Sequence, residues 1–371
     1  MSGGAGSGGS GSGEAVAAPR VAIIGAGAWG TTLAVMVGRV ESVVLLAHDE
    51  AAASRIAAAR ENERRLPGIK LPDAVTVTAD PRAVADAIDL VVFAVPSNHL
   101  RATAEGVAAH IAPSADILSV VKGLEQGSLL RMSEVIATAA KVGPRRVAAL
   151  SGPNLAAEIA RGLPASAVVA AEEPELADRI VERLRRREFR LYVNRDLLGV
   201  ELCGALKNVV AIAAGAADGL GFGDNGKAGL MTRGLAEMTR LGIAAGANPL
   251  TFAGLAGIGD VIATCGSALS RNHRLGVELA KGRGWAELEE SLPGVAEGAY
   301  TVDAALALAR RHGVEMPIAQ EVHNALFEGK SVQRCLIDLL ARESKDELAD
   351  FPAWAERIRD DADLAGSTDD G

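Results

Sequence analysis

The chain has 371 residues and a formal net charge of −9, which allows one or two domains and argues against a general nucleic-acid-binding surface. Hydrophobic residues make up 49% of the chain and charged residues 23%, so we expect a sizeable core and no wholesale disorder. The 3 cysteines lie far apart and the 6 histidines lack ligand spacing. We therefore expect neither a disulfide framework nor a metal site, and a reducing, cytoplasmic location fits best.

Both ends of the chain are expected to lie outside the folded part. Residues 1–19 begin with a run of Gly and Ser that lacks the basic start and apolar stretch of a signal peptide, so we expect a flexible tail, native or added. Residues 343–371 are acidic, and we expect this tail to be partly mobile. The longest charge-free stretch, residues 241–259, contains several Gly, an Asn and a Pro, so no integral membrane segment is expected.

Between the tails, the first half of the chain alternates short β-branched runs with Ala-rich segments of helical spacing, such as residues 51–60 and 131–141. The predicted strands are residues 21–24, 43–47, 90–95, 117–121, 147–150 and 167–170, with residues 190–193 as a candidate last strand. Continuous apolar strands separated by helices are typical of a parallel sheet covered on both faces. The sequence therefore predicts an α/β domain with a mainly parallel sheet over residues 20–196.

The pattern changes after Asp196. Strand-like runs disappear, and long Ala/Leu/Gly stretches with helical spacing continue to about Arg342. This predicts an all-α second domain over residues 197–342, which would carry substrate and catalytic groups.

The first predicted strand runs directly into a Gly-x-Gly-x-x-Gly loop, formed by Gly25, Gly27 and Gly30, and then into a helix. The first glycine permits a tight turn, the second lets a pyrophosphate approach the backbone, and the third allows close packing of helix on strand. The helix N-terminus offers N–H groups to the phosphates. This context predicts a dinucleotide site, and a glycine turn without a ligand is the alternative.

The second predicted strand ends at His48, Asp49 and Glu50. An acidic residue at this tip would bind the ribose diol of NAD, whereas a basic residue would suit the 2′-phosphate of NADP. Both kinds of residue are present, so the sequence leaves NAD or NADP open as the cofactor.

Two isolated charges stand out in the second half. Lys207 lies in a helical stretch whose only other charge is Glu201, and Asp260 is the only charge between Arg240 and Arg271. Desolvation would lower the pKa of such a lysine and suit it to proton exchange, although its amine could also reach water at the surface. Asp260 would need a cation, and Lys207 is the obvious candidate; Asp260 could also cap a helix, and the two roles can hold together.

Polar groups that could hold a phosphate follow this apolar stretch and the predicted strands. Ser270, Arg271 and Asn272 place a hydroxyl, a guanidinium and an amide in sequence, unless they form an ordinary solvated loop. Short polar loops also follow the third, fourth and fifth predicted strands, and begin near Ser97, Lys122 and Gly152. Ligands bind at this end of the strands in doubly wound sheets, so we expect these loops to converge.

Together these motifs resemble the bacterial NAD(P)-dependent glycerol-3-phosphate dehydrogenase family. The stretches that carry the resemblance are residues 25–34, 95–97, 122–125, 151–153, 207–209, 218–225, 232–238, 256–260, 270–272, 295–298 and 315–318. The resemblance runs in order from about Val21 to Leu340. It implies a Rossmann domain followed by a helical domain, with the active site between them, and reversible reduction of dihydroxyacetone phosphate to sn-glycerol 3-phosphate for phospholipid synthesis.

The resemblance also implies site residues, with Lys207 as the catalytic lysine. The substrate contacts of the family fall on Lys122, Gly152, Asn154, Lys207, Asp260, Ser270, Arg271 and Asn272. The cofactor contacts fall on Ala28, Trp29, His48, Lys122, Ala156, Arg271, Val295 and Glu297, beside the glycine loop. The chain departs from the family at Asn154, where many relatives carry a hydroxyl residue, and the residue at His48 varies, so cofactor preference is not implied.

In the expected reaction, hydride passes from nicotinamide C4 to the ketone carbon while Lys207 donates a proton to the oxygen. The expected partner is a small phosphorylated triose, with no nucleic acid, and the oligomeric state is left open with a homodimer as one expectation. Two alternatives remain. A related dehydrogenase could act on a β-hydroxyacid or a ketopantoate-like substrate, and a dinucleotide-binding regulator would bind cofactor without chemistry.

Overall fold

A computed structural model describes residues 20–292 and 294–343 of the chain. The predicted tails, residues 1–19 and all but the first residue of 343–371, lie outside this part.

The N-terminal half contains a sheet of eight strands in the order β3-β2-β1-β4-β5-β6-β7-β8. The strands are β1 (Val21–Ile24), β2 (Val43–Leu46), β3 (Val75–Thr78), β4 (Leu90–Phe93), β5 (Asp116–Ser119), β6 (Val147–Ser151), β7 (Ala165–Ala170) and β8 (Phe189–Asn194). Neighbouring strands are parallel except for β6 and β7, which pair antiparallel. The predicted mainly parallel sheet is confirmed, including its candidate last strand.

Strand β3 was not predicted from the sequence. Its residues Val-Thr-Val-Thr alternate apolar with polar, and only Val75 is fully buried. β3 pairs with β2 alone and forms the edge of the sheet. An edge strand that is half exposed lacks the continuous apolar run by which the inner strands were found.

Six helices belong to this half and cover both faces of the sheet. They are α1 (Ala28–Gly38), α2 (Glu50–Ala59), α3 (Leu100–Val107), α4 (Met132–Ala139), α5 (Ala156–Ala160) and α6 (Pro174–Leu184). The two sides of β1 show the arrangement. Val21 and Ile23 share a core with Leu33 of α1. Ala22 and Ile24 share another with Leu100 of α3. Because both faces are buried, the strands read as uninterrupted apolar runs.

The described residues of the C-terminal half form helices joined by loops, without a strand, as predicted. Its helices are α7 (Leu197–Gly219), α8 (Gly223–Ala245), α9 (Pro249–Phe252), α10 (Asp260–Gly266), α11 (Arg271–Ala280), α12 (Trp285–Ser291), α13 (Glu297–His312), α14 (Pro317–Phe327) and α15 (Val332–Leu340), with a π-helical turn at Leu255–Gly259. The N-terminal part is thus a Rossmann-like domain, and a helical region follows it.

Helix α7 is the centre of the helical region, and every residue from 199 to 217 is buried. Helix α11 crosses it at backbone contact. A Cβ on Gly276 would lie 2.0 Å from the carbonyl oxygen of Ile212, and one on Gly215 would lie 1.9 Å from that of His273. The small residues of α7 thus let its neighbours approach closely enough to bring their side chains to it.

Among the described residues, two segments are long and apolar enough to cross a membrane, by length and composition alone. Leu197–Gly219 is α7, and 94% of its most apolar window is buried inside the protein, as in the core helix of a soluble fold. Pro249–Gly266 is broken into α9, the π-helical turn and α10, and 44% of its window is buried. Neither segment is a clear membrane span.

A buried ion pair fixes α7 against the sheet-bearing domain. Glu201 of α7 accepts hydrogen bonds from Nη1 of Arg131 at 2.7 Å and from the hydroxyl of Ser133 at 2.6 Å. Its other oxygen accepts from the amide of Ser133 at 2.8 Å. Burial raises the pKa of Glu201, and the charge of Arg131 partly offsets this. The start of α4 is thereby tied to the first turns of α7.

Removing one partner of this pair is predicted to destabilise the fold. Arg131→Leu leaves the Glu201 carboxylate buried without its cation and is expected to lower the free energy of unfolding by about 3 kcal/mol. Urea denaturation measures this change. The control is Arg145→Leu, which breaks an ion pair with Glu173 in which the arginine side chain is 75% exposed, and it should change stability by less than about 0.5 kcal/mol. Equal effects of the two variants would contradict the prediction.

Candidate active site

Three polar loops meet where neighbouring strands of the sheet end. Ser97 follows β4, Lys122 follows β5 and Gly152 follows β6, and these strands are adjacent. Lys122 Nζ donates to the carbonyl oxygen of Gly152 at 3.0 Å. A Cβ on Gly123 would lie 2.7 Å from the Cβ of Ser97. The predicted convergence of these loops is confirmed, because the carboxyl ends of parallel strands share one edge of the sheet.

The helical region supplies the groups that face this edge. Asp260, whose side chain is 2% exposed, accepts a hydrogen bond from Lys207 Nζ at 3.0 Å through one oxygen. Its other oxygen accepts from Lys122 Nζ at 2.5 Å. A carboxylate from α10 thus lies between an ammonium group from α7 and one from the loop after β5.

The alternatives that the sequence left open for these residues are decided by the geometry. The Lys207 side chain is 8% exposed, so its amine does not reach bulk water along the surface. Asp260 is the first residue of α10, yet its carboxylate accepts from the two lysines. Lys207 was expected as its cation, and Lys122 is a second one.

Burial and charge act in opposite directions on this cluster. Desolvation lowers the pKa of Lys207 from 10.5 to about 8, although the charge of Asp260 raises it. Desolvation alone would raise the pKa of Asp260, but the two ammonium groups outweigh it and lower that pKa. At neutral pH the cluster therefore holds an ionised carboxylate and a lysine whose pKa lies about one unit above the pH, so that this lysine can release its proton readily.

Thr264 belongs to the same cluster and was not predicted. Its hydroxyl accepts from Lys207 Nζ at 2.6 Å and donates to Asp260 at 3.0 Å. Thr264 lies one helical turn after Asp260 in α10, so the two side chains share a face of the helix. That spacing was the available signal, but a lone threonine in an apolar helix did not stand out.

The glycine loop adopts the geometry that a dinucleotide site requires. Gly25 has φ +113°, and a Cβ on it would lie 2.6 Å from the carbonyl oxygen of Ala94. A Cβ on Gly30 would lie 2.0 Å from the carbonyl oxygen of Gly25. Gly27 differs, because its nearest such atom is 3.9 Å away and its outer side is open. The turn and the packing need glycine at Gly25 and Gly30, and Gly27 leaves room for a ligand.

The residues beside this loop fit an NAD(P) cofactor. Gly27 is the N-cap of α1 and has no side chain that could cap the first N–H groups of the helix. These groups and the partial positive charge of the helix suit a pyrophosphate. The indole N–H of Trp29 is buried without a hydrogen-bond partner among the described residues. The hydroxyl of Thr32 lies within hydrogen-bond distance of two carbonyl oxygens, that of Ala28 at 2.9 Å and that of Ala156 at 3.0 Å, and so brings both residues together beside the loop.

The predicted phosphate-binding triplet lies at the start of α11. Ser270 is buried and caps the helix, accepting from the amide of His273 at 3.2 Å. Arg271 is exposed, and its guanidinium has no hydrogen bond or ion pair with a described residue. Asn272 is buried, and its amide connects three helices by donating to Asn208 Oδ1 at 2.8 Å and accepting from the amide of Gly298 at 2.9 Å. Within this triplet, only Arg271 has a polar side-chain group that is entirely available to bind a ligand.

The remaining predicted residues take up separate positions. Glu297 lies at the start of α13 two residues after Val295, and it accepts from the hydroxyl and the amide of Ser97, which joins the two halves of the chain. Burial raises the pKa of Glu297. Both polar atoms of the Asn154 side chain are buried without a partner among the described residues. His48 is 81% exposed at the end of β2 and pairs with Asp49, which caps α2.

Comparison with known proteins assigns this arrangement to a family. The family model described as the NAD-dependent glycerol-3-phosphate dehydrogenase N-terminus matches residues 20–177, and the model described as its C-terminus matches residues 196–337. A glycerol-3-phosphate dehydrogenase (NAD(P)+) from Streptomyces coelicolor is 45% identical over 88% of this chain and 98% of its own. The chain belongs to the NAD-dependent glycerol-3-phosphate dehydrogenase family.

Further members of the family support the same assignment. The enzyme of the same description from Chlorobium limicola is 44% identical over 88% of this chain and 99% of its own. The crystal structure of glycerol-3-phosphate dehydrogenase from Coxiella burnetii superposes with a TM-score of 0.83 at 37% identity and covers 87% of this chain and 99% of that one. A ketopantoate reductase from Ralstonia eutropha, with a TM-score of 0.55 and 16% identity, shares the fold alone.

The charge of Asp260 is predicted to keep the pKa of Lys207 higher than desolvation alone would allow. Asp260→Asn removes the favourable interaction with the ammonium group but leaves the desolvation and the charge of Lys122, so the pKa of Lys207 should fall below about 8. A pH titration of the lysine Cε and Nζ resonances by NMR measures this shift. Asp303→Asn, at a carboxylate of α13 that lies beside His323 and outside the Lys207 cluster, is the control and should leave the titration unchanged. A pKa that stays the same or rises in Asp260→Asn would refute the coupling.

Proposed function

We propose that this chain catalyses the reversible reduction of dihydroxyacetone phosphate to sn-glycerol 3-phosphate with NADH or NADPH. The observation that carries the proposal is the buried Lys207–Asp260–Lys122 cluster, which faces the strand ends beside a glycine loop suited to a dinucleotide. Membership of the NAD-dependent glycerol-3-phosphate dehydrogenase family supports the choice of substrate and cofactor. The product would supply the backbone of glycerophospholipids.

Lys207 would act as the general acid and base. When bound, the nicotinamide cofactor supplies hydride to the ketone carbon, or accepts it in the reverse direction. As the carbonyl oxygen gains negative charge, the ammonium group of Lys207 would donate a hydrogen bond to it and then a proton, so that the alcohol forms and the amine is left neutral. In oxidation the neutral amine would take the hydroxyl proton. A pKa of about 8 serves both directions near neutral pH.

The neighbours of Lys207 would orient it and the substrate. Asp260 and Thr264 hold the amine through hydrogen bonds at 3.0 and 2.6 Å, which fixes the direction in which it can donate. Lys122 is held between Asp260 and the carbonyl of Gly152 and would place the substrate oxygens. Arg271, an exposed guanidinium without a partner among the described residues, would bind the phosphate, for which its planar fork is suited.

The other contacts implied by the family resemblance complete the proposed site. The substrate contacts include Gly152, Asn154, Ser270 and Asn272. The cofactor contacts include Gly25, Gly27, Ala28, Trp29, Gly30, His48, Lys122, Ala156, Arg271, Val295 and Glu297. We take residues 20–196 as the cofactor domain and residues 197–342 as the substrate domain. A cytoplasmic location and a homodimer are further parts of this proposal.

Loss of the Lys207 amine is predicted to stop turnover and to leave cofactor binding unchanged. In Lys207→Ala, kcat for dihydroxyacetone phosphate should fall at least about 100-fold, because the developing alkoxide loses its proton donor. The measurement is the loss of absorbance of the reduced nicotinamide, with NADH and NADPH in parallel. In the unaltered protein, the rate of reduction should fall as the pH rises through about 8, since the lysine then loses the proton it must donate.

The control is Lys281→Ala, which removes a lysine whose side chain is 58% exposed at the end of α11. It should keep the activity of the unaltered protein. Cofactor affinity of Lys207→Ala should also be unchanged in a fluorescence titration with NADH. Near-normal turnover by Lys207→Ala would refute the catalytic role, and absence of any turnover by the unaltered protein would refute the proposed function.

At saturating cofactor, the Arg271 guanidinium is predicted to act on substrate binding. Arg271→Ala should raise KM for dihydroxyacetone phosphate by about tenfold or more, because a charge-assisted contact to the phosphate is lost. Initial rates over a range of substrate concentrations at saturating NADH measure this. Arg274→Ala, three residues further along the same helix and also exposed, should leave KM unchanged. An unaltered KM in Arg271→Ala would count against the phosphate role.

A further inference from the structure

Two arginines from distant parts of the chain meet at Gly294. A Cβ on Gly294 would lie 3.1 Å from Nη1 of Arg271 and 3.3 Å from Nη1 of Arg65. Gly294 has φ +91°, a left-handed conformation that glycine adopts without strain. The absence of a side chain at this position thus leaves the space in which the two guanidinium groups approach the same point of the backbone.

Neither guanidinium is neutralised by a hydrogen-bonded carboxylate among the described residues. Both side chains are exposed, so a ligand can reach them. The charge of Glu297 acts on Arg271, but no hydrogen bond joins the two. The Glu297 oxygens instead accept hydrogen bonds from Ser97. Glu61, the nearest ion-paired acid to Arg65 in the sequence, is paired with Lys70. Two like charges near one point repel each other, and an anion bound between them would remove that repulsion.

The position of Arg65 indicates which anion this is. The amide of Arg65 donates to the carbonyl oxygen of Asn62 at 3.1 Å, so the two residues lie on one turn. Asn62 is buried and donates to the carbonyl oxygen of Ala26 at 2.9 Å and to the hydroxyl of Thr31 at 2.8 Å. Asn62 therefore anchors the turn that carries Arg65 to the glycine loop, where the pyrophosphate of a dinucleotide binds, whereas the adenosine ribose binds at the end of the second strand.

We infer that Arg65 is a cofactor-binding residue whose guanidinium pairs with the pyrophosphate of NAD(P), opposite Arg271. Arg65 reaches the phosphates from the glycine-loop side, and Arg271 reaches them from the start of α11. One dinucleotide would thus bridge the cofactor domain and the helical region through two guanidinium groups. This inference rests on the proposed function, because it takes NAD(P) as the ligand of the glycine loop.

The test is direct binding of cofactor to the full chain in the absence of substrate. NADH and NADPH are titrated separately into the unaltered protein, into Arg65→Gln and into Arg64→Gln, and the fluorescence of the nicotinamide gives Kd. Arg64 is the matched control, since it is adjacent, exposed and without a side-chain hydrogen bond or ion pair to a described residue. KM for dihydroxyacetone phosphate is measured for the same proteins at saturating NADH, and thermal unfolding shows that each variant is folded.

Arg65→Gln should raise Kd for both NADH and NADPH by about tenfold, which is the effect of one lost charge-assisted contact. Arg64→Gln should change neither, and KM for dihydroxyacetone phosphate should be the same in all three proteins. An unchanged Kd in Arg65→Gln, or an equal loss of cofactor affinity in Arg64→Gln, overturns the inference. A loss of affinity for NADPH alone also overturns it, because it would point to the 2′-phosphate. So does a variant in which only KM for dihydroxyacetone phosphate changes.

This experiment separates the inference from the proposed function. If the unaltered protein binds cofactor and reduces dihydroxyacetone phosphate while Arg65→Gln keeps its affinity for both dinucleotides, the role of Arg65 fails and the function stands. If the unaltered protein binds neither dinucleotide, both fail together.

Discussion

The carboxylate of Asp260 is the point on which the site depends. A buried carboxylate is strongly unfavourable without cations, and this one has two, from Lys207 at 3.0 Å and from Lys122 at 2.5 Å. The three residues come from α10, α7 and the loop after β5, so charge balance holds the helical region against the ends of the strands. The same arrangement leaves Lys207 desolvated enough to have a pKa of about 8. Structural support and the proton exchange that we propose for Lys207 thus have one physical origin.

Helix α7 provides the rigid support for that cluster. Its small residues allow α11 to contact it at the backbone, and its apolar surface is covered so completely that its composition resembles a membrane span. Its two buried charged side chains, Glu201 and Lys207, are the exceptions, and each makes a connection. Glu201 binds Arg131 and Ser133 at the start of α4, and Lys207 binds Asp260. Because both are paired, the helix can carry them in the core and is fixed in position by them.

Individual residues show how much of the site and of the fold could be predicted from the sequence. Lys207 and Asp260 were found because each is an isolated charge in an apolar stretch, and a buried charge needs a partner. Thr264 was missed because a hydroxyl in a helix gives no comparable signal until the helix is placed against α7. Asn272 was expected at a phosphate, and the structure shows its amide joining α7, α11 and α13, which local sequence does not reveal. Strand β3 was missed because an edge strand need not be apolar on both faces.

The sequence by itself determined the parallel sheet, the glycine loop and the helical second half, because these follow from periodicity and from glycine at fixed spacing. The resemblance in its motifs also named the family correctly. Only the tertiary structure decided which distant groups meet, since Lys122 and Asp260 are separated by 138 positions in the chain. It also decided their burial, and with it the proton affinity of Lys207, because desolvation and pairing are properties of the packed molecule that local sequence does not contain.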